Sequence, residues 1–215
     1  MDNCQRCTTL CASRTQIVFP DLPEFGRPCR ILVVGEAPGA DEDAQGKGFV
    51  GRAGRTLHAL MEEHGMRRGY DYGCANVVRC RPPENRRPTR TEIEACLPLL
   101  ADTISSAKPQ VVLAVGDTAA QVFFEKDRTL GLLQKIEYLK ARDYCPRDQL
   151  RYGEILDMRW PYGTKLAVMP HTSPLAWNRN TPDGRKWSAV GADVIAELGR
   201  WHLNTSSEME KTESP

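Results

Sequence analysis

The sequence predicts an α/β fold in three α/β/α layers around a central, mostly parallel four-stranded sheet. Short apolar runs of strand length alternate with longer helical patterns, the order that parallel strands and crossover helices require. The ends of these runs carry Glu36, Asn76, Gly116 and His171, residues of chemical or conformational use gathered at strand termini. At 215 residues the chain is long enough for one domain with a substantial core, and it shows no internal repeat. The expected organisation is a single domain over 1–203, an insertion at 126–162 and a disordered tail at 204–215.

Taken in order, Ile31–Val34 is an uninterrupted β-branched and aliphatic run and reads as the first strand. Arg55–Glu63 follows as a helix, Cys74–Val78 as the second strand and Thr91–Ser106 as a helix. Val111–Val115 is the third strand, closed by Gly116, and Asp117–Glu125 is its helix. Lys126–Tyr162 is polar and aromatic with weak periodicity, which predicts loops and short helices. Lys165–Met169 is a fourth short strand that delivers Pro170 and His171 to its end, and Ser188–Trp201 is the final helix. Asn204–Pro215 lacks aromatics and is expected to be disordered.

A net charge of +1 conceals a local asymmetry. Arg79, Arg81, Arg86, Arg87 and Arg90 crowd one stretch, whereas residues 36–43 are acidic. No apolar run approaches the roughly 18 residues of a membrane span, and MDNCQRCTTLCASR has no apolar signal core. A soluble, cytoplasmic monomer is expected. In that setting the eight cysteines read as metal or cluster ligands plus buried thiols rather than a disulfide framework. Cys4 and Cys7 form a CxxC, and Cys80 and Cys96 flank a basic loop, so the two pairs can close into one four-thiolate site for zinc or an iron–sulfur cluster. Cys11 is an alternative to Cys4 or Cys7; Cys29, Cys74 and Cys145 read as ordinary thiols.

Residues 35–54, GEAPGADEDAQGKGFVGRAG, put acidic residues, flexible glycines and one aromatic at the end of the first strand. A helix starting near Gly51 to Gly54 offers N–H groups to a phosphate. Parallel α/β sheets bind ligands at this edge.

Together with NVVRCRPPENRRPT, Cys96, the leading CxxC and the late HTSPL segment, this stretch resembles the family 4 uracil-DNA glycosylases, the iron–sulfur branch of that superfamily, over roughly residues 4 to 200. The resemblance implies a [4Fe–4S] cluster on Cys4, Cys7, Cys80 and Cys96, and hydrolytic excision of uracil from DNA without strand cleavage. It places Phe49 on the flipped base, Asn76 on the base's Watson–Crick edge and His171 near O2 of uracil. Gly35 and Ala37 join the substrate-binding set, Ala37 standing where family 1 carries a water-activating aspartate. Glu36 and Glu42 become the candidate carboxylates, while Asp41 and Asp43 read as a solvated acidic loop. Contact with DNA falls to Gly51, Arg52, Arg86 and Arg87, with Leu175 as the wedge that fills the gap left by the flipped base and Arg179 beside it. Trp177 divides between that task and core packing.

Thr172 stands where the family usually has proline, AWNRN is an unusual continuation, and the 126–162 segment is long. An enlarged pocket mouth would suit a glycosylase acting on modified bases of phage DNA, the alternative reading. A noncatalytic iron–sulfur nucleic-acid-binding module is the second alternative, and the joint presence of Glu36, Phe49, Asn76 and His171 argues against it.

Overall fold

The computed structural model describes residues 3–24, 27–124, 130–140 and 159–212. Strands β1 (Ile31–Gly35), β2 (Tyr72–Asn76), β3 (Val111–Val115) and β4 (Lys165–Met169) form one sheet in the order β2-β1-β3-β4, with every pairing parallel. All residues of β1 and β3 are buried, which is why these central strands read as continuous apolar runs. The register sets Gly35 beside Asn76 and Val115 beside Met169, so the residues following each strand emerge at one edge. The chain goes from β1 out to β2 and returns across β1 to β3. Strand order therefore reverses between β1 and β3, the place where open parallel sheets leave a crevice at their carboxyl ends.

Eight helices flank the sheet among the described residues: α1 (Thr8–Ser13), α2 (Ala40–Gln45), α3 (Arg52–Glu63), α4 (Arg90–Ala107), α5 (Asp117–Phe123), α6 (Leu132–Lys140), α7 (Pro174–Trp177) and α8 (Trp187–Thr212). The boundaries depart from the sequence expectations in instructive ways. β2 starts at Tyr72, two residues early, because its parallel register with β1 begins with Ile31 beside Tyr72; on its other side Asp21 exchanges both backbone hydrogen bonds with Cys74 (2.8 and 2.7 Å). Val77 and Val78 lie beyond the named strand, yet their N–H groups reach the carbonyls of Gly35 and Glu36 at 2.9 and 3.2 Å. α3 begins at Arg52 because Gly51 is its N-cap.

The expected disordered tail is helical as far as Thr212. Absence of aromatics removes core burial but not helix propensity, and Glu208, Met209, Glu210 and Lys211 are good helix formers. The Thr205 hydroxyl donates within the helix to the Trp201 and His202 carbonyls at 3.0 and 3.1 Å and accepts a hydrogen bond from Arg30 on the body of the domain. Residues 213–215 lie outside the described residues, as do 125–129 and 141–158 of the inserted region. The part of that region that is described holds α6 and the turn after Arg159.

α4 opens with a reciprocal cap. The Glu92 N–H donates to the Thr89 hydroxyl (3.3 Å), and the Thr89 N–H donates to the Glu92 carboxylate (2.7 Å). The same carboxylate is buried, accepts two bonds from Arg86 (2.8 and 2.7 Å) and takes the Thr9 hydroxyl of α1 at 2.8 Å. These donors, Arg86 foremost, hold its pKa down at about 2 against an ordinary 4.5. A depressed carboxylate stabilises the fold above its unfolded pKa and loses that contribution as pH falls through the folded one. Stability measured by denaturant titration is therefore expected to fall between pH 4.5 and about 2 through this group. In Glu92→Gln the step through this group disappears, and at neutral pH the variant is less stable by about 2 kcal/mol.

Candidate active site and thiol chamber

Glu36, Asn76, Gly116 and His171 do gather at one sheet edge, as the strand ends required. A cavity of about 400 Å³ opens there between Glu36, Gly116, Asp117 and His171, with Arg87, Arg179, Leu132 and Trp187 around it. Gly116, at φ 88, packs against the His171 ring: a Cβ there would sit 3.2 Å from His171 Cβ.

His171 is half-buried at the end of β4, and the Ser173 N–H donates to its Nδ1 at 3.0 Å. A ring nitrogen that accepts carries no proton, so the neutral ring is protonated on Nε2. Burial lowers the pKa, with nearby Glu36 pulling weakly the other way, and the neutral form is the stable one. Next to it the Thr172 hydroxyl donates to the Ala53 carbonyl at 2.8 Å, tying the histidine segment to the first turn of α3.

Phe49 and Asn76 face each other across Gly35. A Cβ at residue 35 would lie 2.6 Å from Asn76 Oδ1 and 2.8 Å from Phe49 Cζ, so only glycine leaves room for both. Phe49 itself holds φ 58, a left-handed conformation uncommon for a bulky residue. Its backbone lies against α3, where a Cβ on Gly54 would stand 2.1 Å from the Phe49 carbonyl oxygen. Gly54→Ala must push that carbonyl or the helix aside. The expected result is a loss of about 2–3 kcal/mol in chemical denaturation.

The carboxylates separate into two kinds. Glu36 lines the cavity; Glu42 lies outside its lining, one oxygen accepting the Gly51 N–H (2.8 Å) and the other the Gly39 N–H (3.1 Å). These two bonds make it a strut of the glycine-rich loop, and the Gly51 N–H is directed at this carboxylate. Asp43, expected in solvent, is 2 % exposed and accepts the backbone N–H groups of Thr15 and Gln16. Asp117 is a cavity-lining carboxylate that sequence reading missed. It receives the buried Lys135 ammonium of α6 at 3.1 Å and the Gln121 amide at 2.6 Å. Arg87 lies 3.7 Å from both Glu36 and Asp117. The pairing that finds Asp117 spans 18 residues into the inserted region, where sequence periodicity was silent.

Of the expected DNA-facing residues, Leu175 is 80 % exposed on α7, while Arg52 and Arg179 are exposed and Arg87 keeps a largely exposed side chain. Arg86 differs: both terminal nitrogens are committed to buried Glu92, so it braces the loop. Trp177 packs against α8, where a Cβ on Gly191 would come 2.4 Å from its ring, which assigns it to packing. Ala37 is half-buried against the core at the start of the loop.

On the other side of β2, Cys4, Cys7, Cys11, Cys80 and Cys96 line a chamber of about 610 Å³ together with Arg14 and Arg79. All five are free thiols. Burial, and then the other four sulfurs, push the Cys7 thiol up to about 12, so several thiolates coexist here only beside a compensating positive centre. Among the described residues no three such side chains converge on a point suited to one metal ion. Arg14 donates to Cys80 Sγ (3.2 Å), Cys11 Sγ (3.4 Å) and the Cys4 carbonyl (2.8 Å), and the Cys11 thiol donates to that same carbonyl at 3.2 Å. Cys29 and Cys74 are core thiols, as expected, and Cys145 lies outside the described residues. Among the described residues no helix is long and apolar enough to cross a membrane.

Residues 23–192 match the profile of the uracil DNA glycosylase superfamily. Over 178 residues the chain is 38 % identical to the type-4 uracil-DNA glycosylase of Thermotoga maritima, covering 82 % of this chain and 81 % of that one. The type-4 protein of Saccharolobus solfataricus is 35 % identical over 74 % of this chain and 67 % of its own. The corresponding Pyrobaculum aerophilum protein is 48 % identical over a shorter stretch, 44 % of this chain and 48 % of its own length. The parallel sheet, the glycine-rich loop on its edge and these matches together place the chain in the uracil-DNA glycosylase superfamily, in its type-4 branch.

Proposed function

We propose that the protein excises uracil from DNA by hydrolysing the bond between the base and C1′ of its deoxyribose, leaving an abasic site. The observation that carries this reading is the meeting of Phe49 and Asn76 across Gly35 on the sheet edge that also bears His171. A base rotated out of the duplex can stack on Phe49 while the Asn76 amide, which both donates and accepts, reads its Watson–Crick edge. The Nε2–H of neutral His171 donates to O2 as the glycosidic electron pair moves onto the base, lowering the energy of the departing anion. Positive charge growing on the sugar is met by the carboxylate of Glu36, with Asp117 as a second negative group lining the same cavity. Water adds to C1′ and loses its proton, and uracil leaves as the anion to be protonated in solvent. No lysine is placed by the sequence motifs to form a Schiff base, so strand cleavage is not part of the reaction. Leu175 is the exposed apolar tip suited to fill the vacated stack, and Arg87, Arg52 and Arg179 supply phosphate contacts.

Cys4, Cys7, Cys80 and Cys96 are the residues that hold a [4Fe–4S] cluster in this reading, with Cys11 a fifth thiol turned to the Cys4 carbonyl. When bound, the cluster supplies a covalent tie between the amino-terminal segment, the loop after β2 and α4. The convergence of Cys4, Cys7, Cys80 and Cys96 on one chamber supports a shared four-thiolate site, the donor set that a [4Fe–4S] cluster takes.

The test places the purified protein on single-stranded oligonucleotides carrying uracil or cytosine at one position, followed by alkali to reveal abasic sites. Cleavage confined to the uracil strand is expected. No cleavage by a folded, coloured protein overturns the assignment and directs attention to modified bases of phage DNA.

A further inference from the structure

Phe49 sits in an unfavourable backbone conformation at the tip of a glycine-rich loop, so something outside the loop must hold it. That support is Arg68, a residue remote in sequence and part of no motif. Its Nη2 donates to the Gly48 carbonyl at 2.6 Å and its Nη1 to the Phe49 carbonyl at 3.4 Å, gripping the two consecutive carbonyls that flank the turn. The guanidinium is itself anchored: Nε donates to Asp21 at 2.8 Å and Nη2 lies 2.7 Å from the same carboxylate. Asp21 in turn is fixed by its paired backbone bonds to Cys74 of β2.

His58 of α3 closes the support. Its Nε2 lies 2.7 Å from Arg68 Nη1 and 3.0 Å from the Phe49 carbonyl oxygen. A guanidinium nitrogen only donates, so Nε2 accepts, and the ring proton on Nδ1 goes to the Tyr72 hydroxyl at 2.8 Å. The Phe49 carbonyl is thereby left to Arg68 as its donor. Burial and the Arg68 charge hold the His58 pKa down at about 4, which keeps the ring neutral in this role.

We propose that Arg68 is the positioning residue for Phe49: through the Gly48 and Phe49 carbonyls it presets the ring that stacks on the flipped base, without touching substrate. The proposal rests on the reading of Phe49 as the stacking residue. Its consequence is selective, because DNA that lacks the base has nothing to stack. In the excision-deficient His171→Ala background, Arg68→Gln weakens binding to a uracil-containing oligonucleotide by about tenfold, the loss of one stacked base, while binding to the same strand with an abasic site is unchanged. Adding Phe49→Ala to Arg68→Gln costs nothing beyond Phe49→Ala alone, since both remove the same contact. If Arg68→Gln does not fold, Asp21→Asn releases the guanidinium from behind and gives the same pattern at smaller size. Additive losses, parallel losses on abasic DNA, or wild-type affinity in both variants overturn the proposal. Wild-type excision of uracil is read first. Its absence removes the base-binding reading itself, whereas excision combined with an additive cycle overturns only the role of Arg68.

Discussion

His171→Ala is expected to bind uracil-containing DNA with near wild-type affinity and to excise the base about 10²–10³-fold more slowly. The size follows from what is removed: one preorganised donor aimed at an oxygen that becomes charged only as the bond breaks. The sign of the pH dependence follows from the ring's environment. Ser173 N–H occupies Nδ1, and burial disfavours the cation, so the donor at neutral pH is a neutral imidazole. The rate of the wild-type protein is thus expected to stay level across the ordinary histidine range, without the decline above pH 6.5 that an obligatory imidazolium would impose. Single-turnover excision over a pH series, with binding measured in parallel, checks both parts. A wild-type rate that falls as pH rises through 6.5 assigns the work to the cation instead. A His171→Ala rate equal to wild type removes the residue from the reaction.

The same histidine shows what a sequence can carry. His171 follows a short strand, and that position alone delivers it to the edge shared with Glu36 and Asn76. Strands buried on both faces write themselves as unbroken apolar runs, so sheet and edge are legible together. The groups that organise the edge are not. Arg68 acts on backbone carbonyls, which any residue type possesses, and His58 acts through Arg68, so no pairing of residue letters marks the contact. Asp43 sits in an acidic run that reads as solvated and Glu42 reads as a candidate catalytic carboxylate, yet each accepts backbone N–H groups. Arg86 belongs to a basic loop that reads as a phosphate grip, and only the burial of Glu92 reveals its brace. Asp117 finds its partner Lys135 on a helix whose own periodicity is weak. In each case polar satisfaction at long sequence separation decides the role, and local pattern does not record it.

Cys96→Ser is expected to abolish the visible colour of the protein and to lower its stability by about 4 kcal/mol, on the order of 10 °C in melting temperature. Cys96 projects from α4 into the chamber and is 6 % exposed, so the serine hydroxyl has no easy route to water. The chamber joins three pieces of chain, and polar contacts tie the amino-terminal piece to the other two. Ser13 donates to the Arg81 carbonyl at 2.8 Å, the Val18 N–H to the Arg79 carbonyl at 2.8 Å, and Thr9 to Glu92. Within α1 only Leu10 is buried, too little apolar area to hold the amino-terminal segment in place alone. Four metal–thiolate bonds would close long loops at once and contribute folding energy directly. Cys29→Ser and Cys11→Ser are the controls. Cys29 bonds the Ile31 carbonyl within the core, and Cys11 bonds the Cys4 carbonyl, so both variants should keep the colour. Absorbance, iron content and thermal melts of the three proteins separate the cases. A colourless wild type containing zinc replaces the cluster by a single ion. A Cys96→Ser protein that keeps both colour and melting temperature leaves the chamber as a set of packed thiols. Loss of colour in Cys11→Ser would move the ligand set toward Arg14, whose guanidinium already contacts both Cys11 and Cys80.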